Sequence, residues 1–207
     1  MPRIILCFLL LAASSPLRAD PVLHALVARQ AAHSDGTAPH SIDRAAFQGE
    51  LNHLPIGVFD SGIGGLTVLE EIFKIDAFHN DTFAPGPDGR PDFAEERFIY
   101  FGDQANMPYG NYSAENNLDY LREVILKDAL FLLGRRSDLP AGGSAPKPAV
   151  KALVIACNTA TAYGLEDVRA LVEKLGLPVI VVGVVEAGAR GLMTAPAKSW
   201  SPVGPMP

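Results

Sequence analysis

ALVIACNTATAYGLEDVRALVEKL, residues 152 to 175, contains a change of period that decides the architecture. Ala152 to Ala156 is an unbroken apolar run, the mark of a strand covered on both faces. From Thr159 to Leu175 the apolar residues return at helical spacing, with Asn158 or Thr159 placed as the cap. Strand passes to helix with almost no spacer, and Cys157 stands at the junction. A thiol there faces the positive end of a helix dipole, which favours the thiolate, the form that attacks or removes protons. The alternative is an inert buried residue, because an unpaired cysteine packs as a small hydrophobe.

The same alternation continues on either side. Ile56 to Phe59, Arg97 to Phe101 and Val179 to Val185 are further apolar strand candidates. Helical patterns cover Gly65 to Ile75 and Ser113 to Leu133, with a shorter one after Glu186. Strands and helices alternating at this spacing predict an α/β fold, a doubly wound, mostly parallel four-stranded sheet flanked by helices and joined by right-handed crossovers. Two stretches rich in glycine and proline, His79 to Glu95 and Ser137 to Pro148, read as surface loops.

At 207 residues the chain has room for one ordinary domain with a sizeable core. A net charge of -6, with no basic run, argues against a nucleic-acid surface. Arg3 followed by the apolar run Ile4 to Ala13 and a small-residue exit near Ala19 is the pattern of a secretory leader, too short to span a bilayer. The expected division is therefore a leader at 1–19, a polar linker at 20–53 with a short helix near Val22 to Ala32, the α/β domain at 54–193, and a proline-rich disordered tail at 194–207. A working leader implies export to the periplasm, and without one the chain is expected in the cytoplasm. Of the two cysteines, Cys7 lies in the leader, so its removal would leave Cys157 as a single thiol with no intramolecular disulfide.

In an open parallel sheet the site lies outside the carboxyl ends of the strands. Asp60-Ser61-Gly62-Ile63-Gly64-Gly65 follows the first strand, Gly102-Asp103 and then Pro108-Tyr109-Gly110 follow the second, and Cys157-Asn158-Thr159 follows the third. Three separate loops thus bring carboxylates, hydroxyls, an amide and a thiol to one edge. The glycine turn lacks the third glycine of a dinucleotide fingerprint and has no P-loop lysine. It suits either close strand–helix packing or a small anion at a helix N-terminus. Asn158 and Thr159 can add hydrogen bonds to a carboxylate held there. Asp60 and Asp103 are each open to two readings, as helix caps or as chemical groups. None of the five histidines falls on a later strand-end loop, and no metal-ligand spacing is present.

Taken together these motifs resemble the cofactor-independent aspartate/glutamate racemase superfamily, and the glutamate racemases most closely. The resemblance rests on PIGVFDSGIGGLTVLEEI from Pro55, FIYFGDQANMPYG from Phe98, VKALVIACNTATAYGLEDVR from Val150 and PVIVVGVVEAGAR from Pro178. It implies one lobe of a two-lobed fold and interconversion of L- and D-glutamate, in which a cysteine removes the α-proton while a second cysteine on the opposite face returns one. It also implies that Cys157, Asp60 and Asp103 are catalytic, and that Ser61, Tyr109, Gly110, Asn158 and Thr159 bind substrate. No cofactor and no metal are implied.

The departures are informative as well. The family continues into a second lobe whose cysteine sits in a Cys-Thr-His motif that this sequence lacks, so a truncated or frameshifted product is one expectation. Gln104-Ala105-Asn106-Met107 also stands where Thr-Ala-Arg-Val is commoner. An exported, non-catalytic carboxylate-binding lobe is the alternative to a racemase supplying D-glutamate for peptidoglycan, a role that belongs in the cytoplasm. The expected partner is a small amino acid. Nucleic acid is not expected, nor a membrane beyond the leader, and a homodimer is left open.

Overall fold

The computed structural model describes residues 21–32, 40–138 and 141–194. In chain order it contains α1 (Pro21–Ala32), a 3-10 turn (Arg44–Phe47), β1 (Ile56–Asp60), α2 (Leu66–Ile72), β2 (Phe98–Gly102), α3 (Gly110–Ala114) and α4 (Leu118–Leu133). There follow β3 (Arg136–Asp138), β4 (Ser144–Pro146), β5 (Ala152–Ile155), α5 (Asn158–Leu175), β6 (Ile180–Gly183) and α6 (Val184–Thr194). The main sheet is fully parallel, in the order β2-β1-β5-β6. The doubly wound reading of the sequence therefore holds, and each of its four strands lies within about two residues of the expected span.

Side chains alternate across the strands and so divide the core. Phe59, Leu153 and Ile155 join the buried residues of α4 and α5 in one large cluster. Val58, Val154 and Tyr100 face the other way, toward Leu69 of α2. In α5 the buried set Ala160, Thr161, Gly164, Leu165, Val168, Leu171, Val172 and Leu175 is a single stripe. In α4 nine of its 16 residues are buried, because α5, α1 and the sheet all press on it.

The strands also end level. Asp60 pairs with Gly102, Phe59 with Ile155, and Ile155 with Gly183. The chain leaves β1 for α2 on one face and β5 for α5 on the other, and β1 and β5 are neighbours. That pair is the topological switch point, where a crevice opens at the carboxyl ends.

Several elements differ from what the sequence suggests. The helix expected over 113–133 is split by Asn116, which has a φ of 57°, and the Asn117 N–H bonds back to the Tyr112 carbonyl at 2.8 Å. Asparagine adopts this left-handed conformation at low cost, so α3 ends and α4 begins afresh. The stretch 137–148, expected to be a plain loop, contains most of the antiparallel hairpin β3–β4. Its strands have only three residues each, too few to show a period.

In the stretch expected to be a linker, α1 buries Leu23 and Leu26, and Ile42 and Phe47 enter the same cluster, as does Leu54 just beyond it. The loop before β2 is knit by carboxylates. Asp76 accepts the Asp88 and Gly89 N–H groups, Asp88 those of Asn80 and Arg90, and Asp92 those of Ala77 and Phe78. The expected leader, and the expected tail beyond Thr194, lie outside the described residues. Among the described residues no helix is long and apolar enough to cross a membrane.

Candidate active site

Cys157 lies at the end of β5 on the β1 side of the switch point. It caps α5 itself, with extended backbone (φ -88°, ψ 126°) and its sulfur accepting the Ala160 N–H at 3.4 Å. The cap is thus one residue earlier than Asn158 and two earlier than Thr159. An N-cap acceptor bonds the N–H two or three positions on, and a thiol can fill that place weakly. The sulfur's other contact crosses to β1, where the thiol donates to Ser61 Oγ at 3.4 Å. Cys157 is 7% exposed, so it lies at the rim and not in solvent.

Asp60 ends β1, buried, and its Oδ2 accepts the Gly65 N–H at 2.9 Å. That bond reaches the N-cap residue of α2, on the face opposite α5, while the first-turn N–H groups of α2 have no side-chain cap, so Asp60 is not its N-cap. Tyr100, at the centre of β2, donates from its hydroxyl to the Gly62 carbonyl at 2.9 Å and lies 3.4 Å from Asp60 Oδ2. Burial, with the charges of Asp60 and Cys157 nearby, pushes the Tyr100 phenol up to about 12, so it remains a donor at ordinary pH. The turn is also fixed by what it cannot accommodate. A Cβ at Gly102 would run into the Gly62 carbonyl oxygen, so the glycine ending β2 lets the 60–65 turn lie across it.

The second loop is organised inward. The Asp103 N–H donates to the Asp60 carbonyl at 2.9 Å, extending the β1–β2 ladder by one step. The buried Asp103 carboxyl accepts both Asn106 Nδ2, at 2.9 and 3.0 Å, and the Tyr109 hydroxyl at 2.8 Å. Tyr109 is 1% exposed, and its hydroxyl also lies 2.5 Å from Asp128 Oδ2 on α4. Gly110 opens α3 in the exposed layer.

The structure therefore brings Asp60, Ser61 and Cys157 together, with exposed Asn158 and half-buried Thr159 on the adjoining first turn of α5. It joins the buried Asp103 carboxyl and Tyr109 hydroxyl to each other. Tyr100 and Asp128 escape a reading of the sequence, one looking like an apolar strand position and the other like a solvent-facing helix position. Their partners lie 38 and 19 residues away, a distance only the fold closes.

The arrangement joins a sulfur, the N–H groups of a helix N-terminus, a hydroxyl and a carboxylate in a few ångströms of rim. Such a set suits a small zwitterion with a proton next to its carboxylate. A concavity of about 790 Å³ lies elsewhere, between Asn52 and the 75–96 loop, lined by Phe78, His79, Arg90 and Phe93. Among the described residues no group of three His, Cys, Asp or Glu stands ready to hold a metal.

No family model matches the chain. Curated relatives do. The glutamate racemase of Geobacter metallireducens is 42% identical over 135 residues, covering 65% of this chain and 36% of that protein. The glutamate racemase of Enterococcus faecalis is 40% identical over 139 residues, 67% of this chain and 37% of that one. Among solved structures, glutamate racemase isoform RacE1 from Bacillus anthracis aligns at 30% identity and a TM-score of 0.45, over 71% of this chain and 41% of that one. The chain spans little more than a third of the length of the two curated relatives. Across the matched 65% of its length, this chain is a homologue of part of the glutamate racemases.

Proposed function

We propose that the domain supplies one half of a cofactor-independent glutamate racemase site in which Cys157 carries the α-proton. The observation that bears most weight is the 3.4 Å contact between Cys157 and Ser61 across the β1–β5 switch point. The name shared by the curated relatives supports glutamate as the substrate. Its α-carboxylate would lie over the first turn of α5, against Asn158, Thr159 and the helix N–H groups. Asp60, steadied by Gly65 and Tyr100, would pair with the ammonium group.

The ionised sulfur then takes the α-proton. The Cα–H bond breaks, an S–H bond forms, and the electron pair stays on Cα, delocalised into the carboxylate. Fixed donors facing that carboxylate stabilise the developing charge. Return of a proton from the same sulfur restores the starting enantiomer, while inversion needs a second acid on the opposite face. Cys7 lies outside the described residues, so the described domain brings one thiol to the rim. The cellular role that follows is D-glutamate supply for peptidoglycan, and N-terminal sequencing of the mature chain would decide between cytoplasm and export.

The test is proton NMR of L-glutamate and, separately, D-glutamate incubated with the protein in deuterated water. One enantiomer is expected to lose its Cα proton signal, and persistence of both signals would reject proton transfer. The single thiol among the described residues also favours a second reading, a carboxylate-binding lobe without turnover. Calorimetry with glutamate and small dicarboxylates addresses it, and it falls if no heat of binding is measured.

A further inference from the structure

The Tyr109 hydroxyl has one hydrogen and two carboxyl neighbours, Asp103 Oδ2 at 2.8 Å and Asp128 Oδ2 at 2.5 Å. All three residues are buried. One phenolic proton cannot satisfy two carboxylates, so two lone-pair-bearing oxygens would face each other unless a second proton is present. Asp103 is the better carboxylate, since it also accepts the Asn106 amide through both of its oxygens. The proton therefore belongs on Asp128.

We infer that Asp128 is a positioning residue that, in its protonated form, donates to Tyr109 and so pins the 103–110 loop against the Asp60–Ser61 end of β1. The line of force is continuous. Asp128 holds the Tyr109 oxygen, Tyr109 donates to Asp103, and the Asp103 N–H is bonded to the Asp60 carbonyl at 2.9 Å. Phe59 of β1 packs on the Tyr109 ring with centroids 6.4 Å apart, so the loop is also seated on the strand that carries Asp60. The consequence for catalysis rests on the function proposed above, whereas the proton and the loop do not.

Tyr109, Asp103 and Lys127 act on Asp128, and the other titratable groups on the elements around it are few. From the loop after β2 come Tyr109 and Asp103, and from α4 itself comes Lys127, paired with Glu123 at 2.6 Å. From α5 comes Asp167, already joined to Arg122 at 2.6 Å, while α1 carries only the exposed His24 and Arg29. From α3 come half-buried Tyr112 and, at its end, exposed Glu115, and β1 brings Asp60. Burial is the dominant influence and pushes Asp128 up to about 8, with Asp103 adding to it and Tyr109 and Lys127 opposing. The loop is thus held at neutral pH and released as Asp128 ionises.

The test combines carboxyl carbon NMR with amide hydrogen exchange of the whole chain from pH 6 to 9, corrected for intrinsic rates. One aspartate carboxyl is expected to titrate near pH 8, and amides of the 103–110 loop should exchange about tenfold faster above that midpoint. In Asp128→Asn, whose amide donates at every pH, loop exchange should be flat. Titration of every aspartate below pH 6, or the same loop response in Asp128→Asn, would overturn the inference. The carboxyl titration of the unaltered chain decides the matter even if the variant does not fold. Normal titration with no glutamate exchange would sink only the proposed function, and glutamate exchange with no titrating aspartate would sink only this inference.

Discussion

Gly65 follows the site turn at a point where no side chain fits. A Cβ there would stand 2.8 Å from the Cβ atoms of both Ala156 and Asp60, atoms fixed to the backbone that cannot swing aside. Gly65→Ala is therefore expected to cost about 1–3 kcal/mol. It should also push Asp60 off the Gly65 N–H, so urea unfolding would show the lost stability and the glutamate assay a slower exchange. Of this neighbourhood, Asp60, Ser61 and Cys157 are legible in the sequence because each directly follows a strong apolar strand. The roles of Asp103 and Tyr109 are less so, since position in a strand-end loop does not say whether a side chain turns to the ligand or back to its own loop. Here Asn106 is a partner of the Asp103 carboxyl and Asp128 of the Tyr109 hydroxyl.

The elements were readable where the apolar period ran long, as in α5 and the second half of 113–133. They were not readable where tertiary partners replace periodicity. The β3–β4 hairpin is an example, and Lys147 at its end shows what supports it. Its ammonium donates to the carbonyls of Leu132, at 3.1 Å, of Pro148, at 3.3 Å, and of Gly134, closing the C-terminus of α4. The Phe131 ring lies 5.0 Å below it. A lysine at a helix C-terminus satisfies carbonyls that the helix leaves open. Lys147→Met keeps the aliphatic stem and removes the donor, with an expected loss of about 1–3 kcal/mol in thermal or urea unfolding.

Across the whole molecule, the buried carboxyl on α4 links stability to pH. Asp128 keeps its proton in the fold up to about 8, while the unfolded chain releases it near the ordinary aspartate value. Between these limits the folded state binds more protons, so stability falls as pH rises, by at most about 1.4 kcal/mol per pH unit. The lowered carboxyls Glu70, Asp88 and Glu186 act with the opposite sign, but only at more acid pH. Burial pushes Lys147 down to about 8, and its influence begins only above that. Urea midpoints should therefore decline from pH 5.5 to 8 in the natural chain and stay level in Asp128→Asn.

The same whole-molecule topology places β1 beside β5, and through them a hydroxyl beside a sulfur, within a chain that matches only part of longer racemases. Comparing deuterium uptake at the glutamate Cα by the natural chain and by Cys157→Ser puts that sulfur to the proof. The serine variant should fold normally and lose about a hundredfold or more of the exchange rate. Equal exchange by both proteins would show that the proton travels by another group.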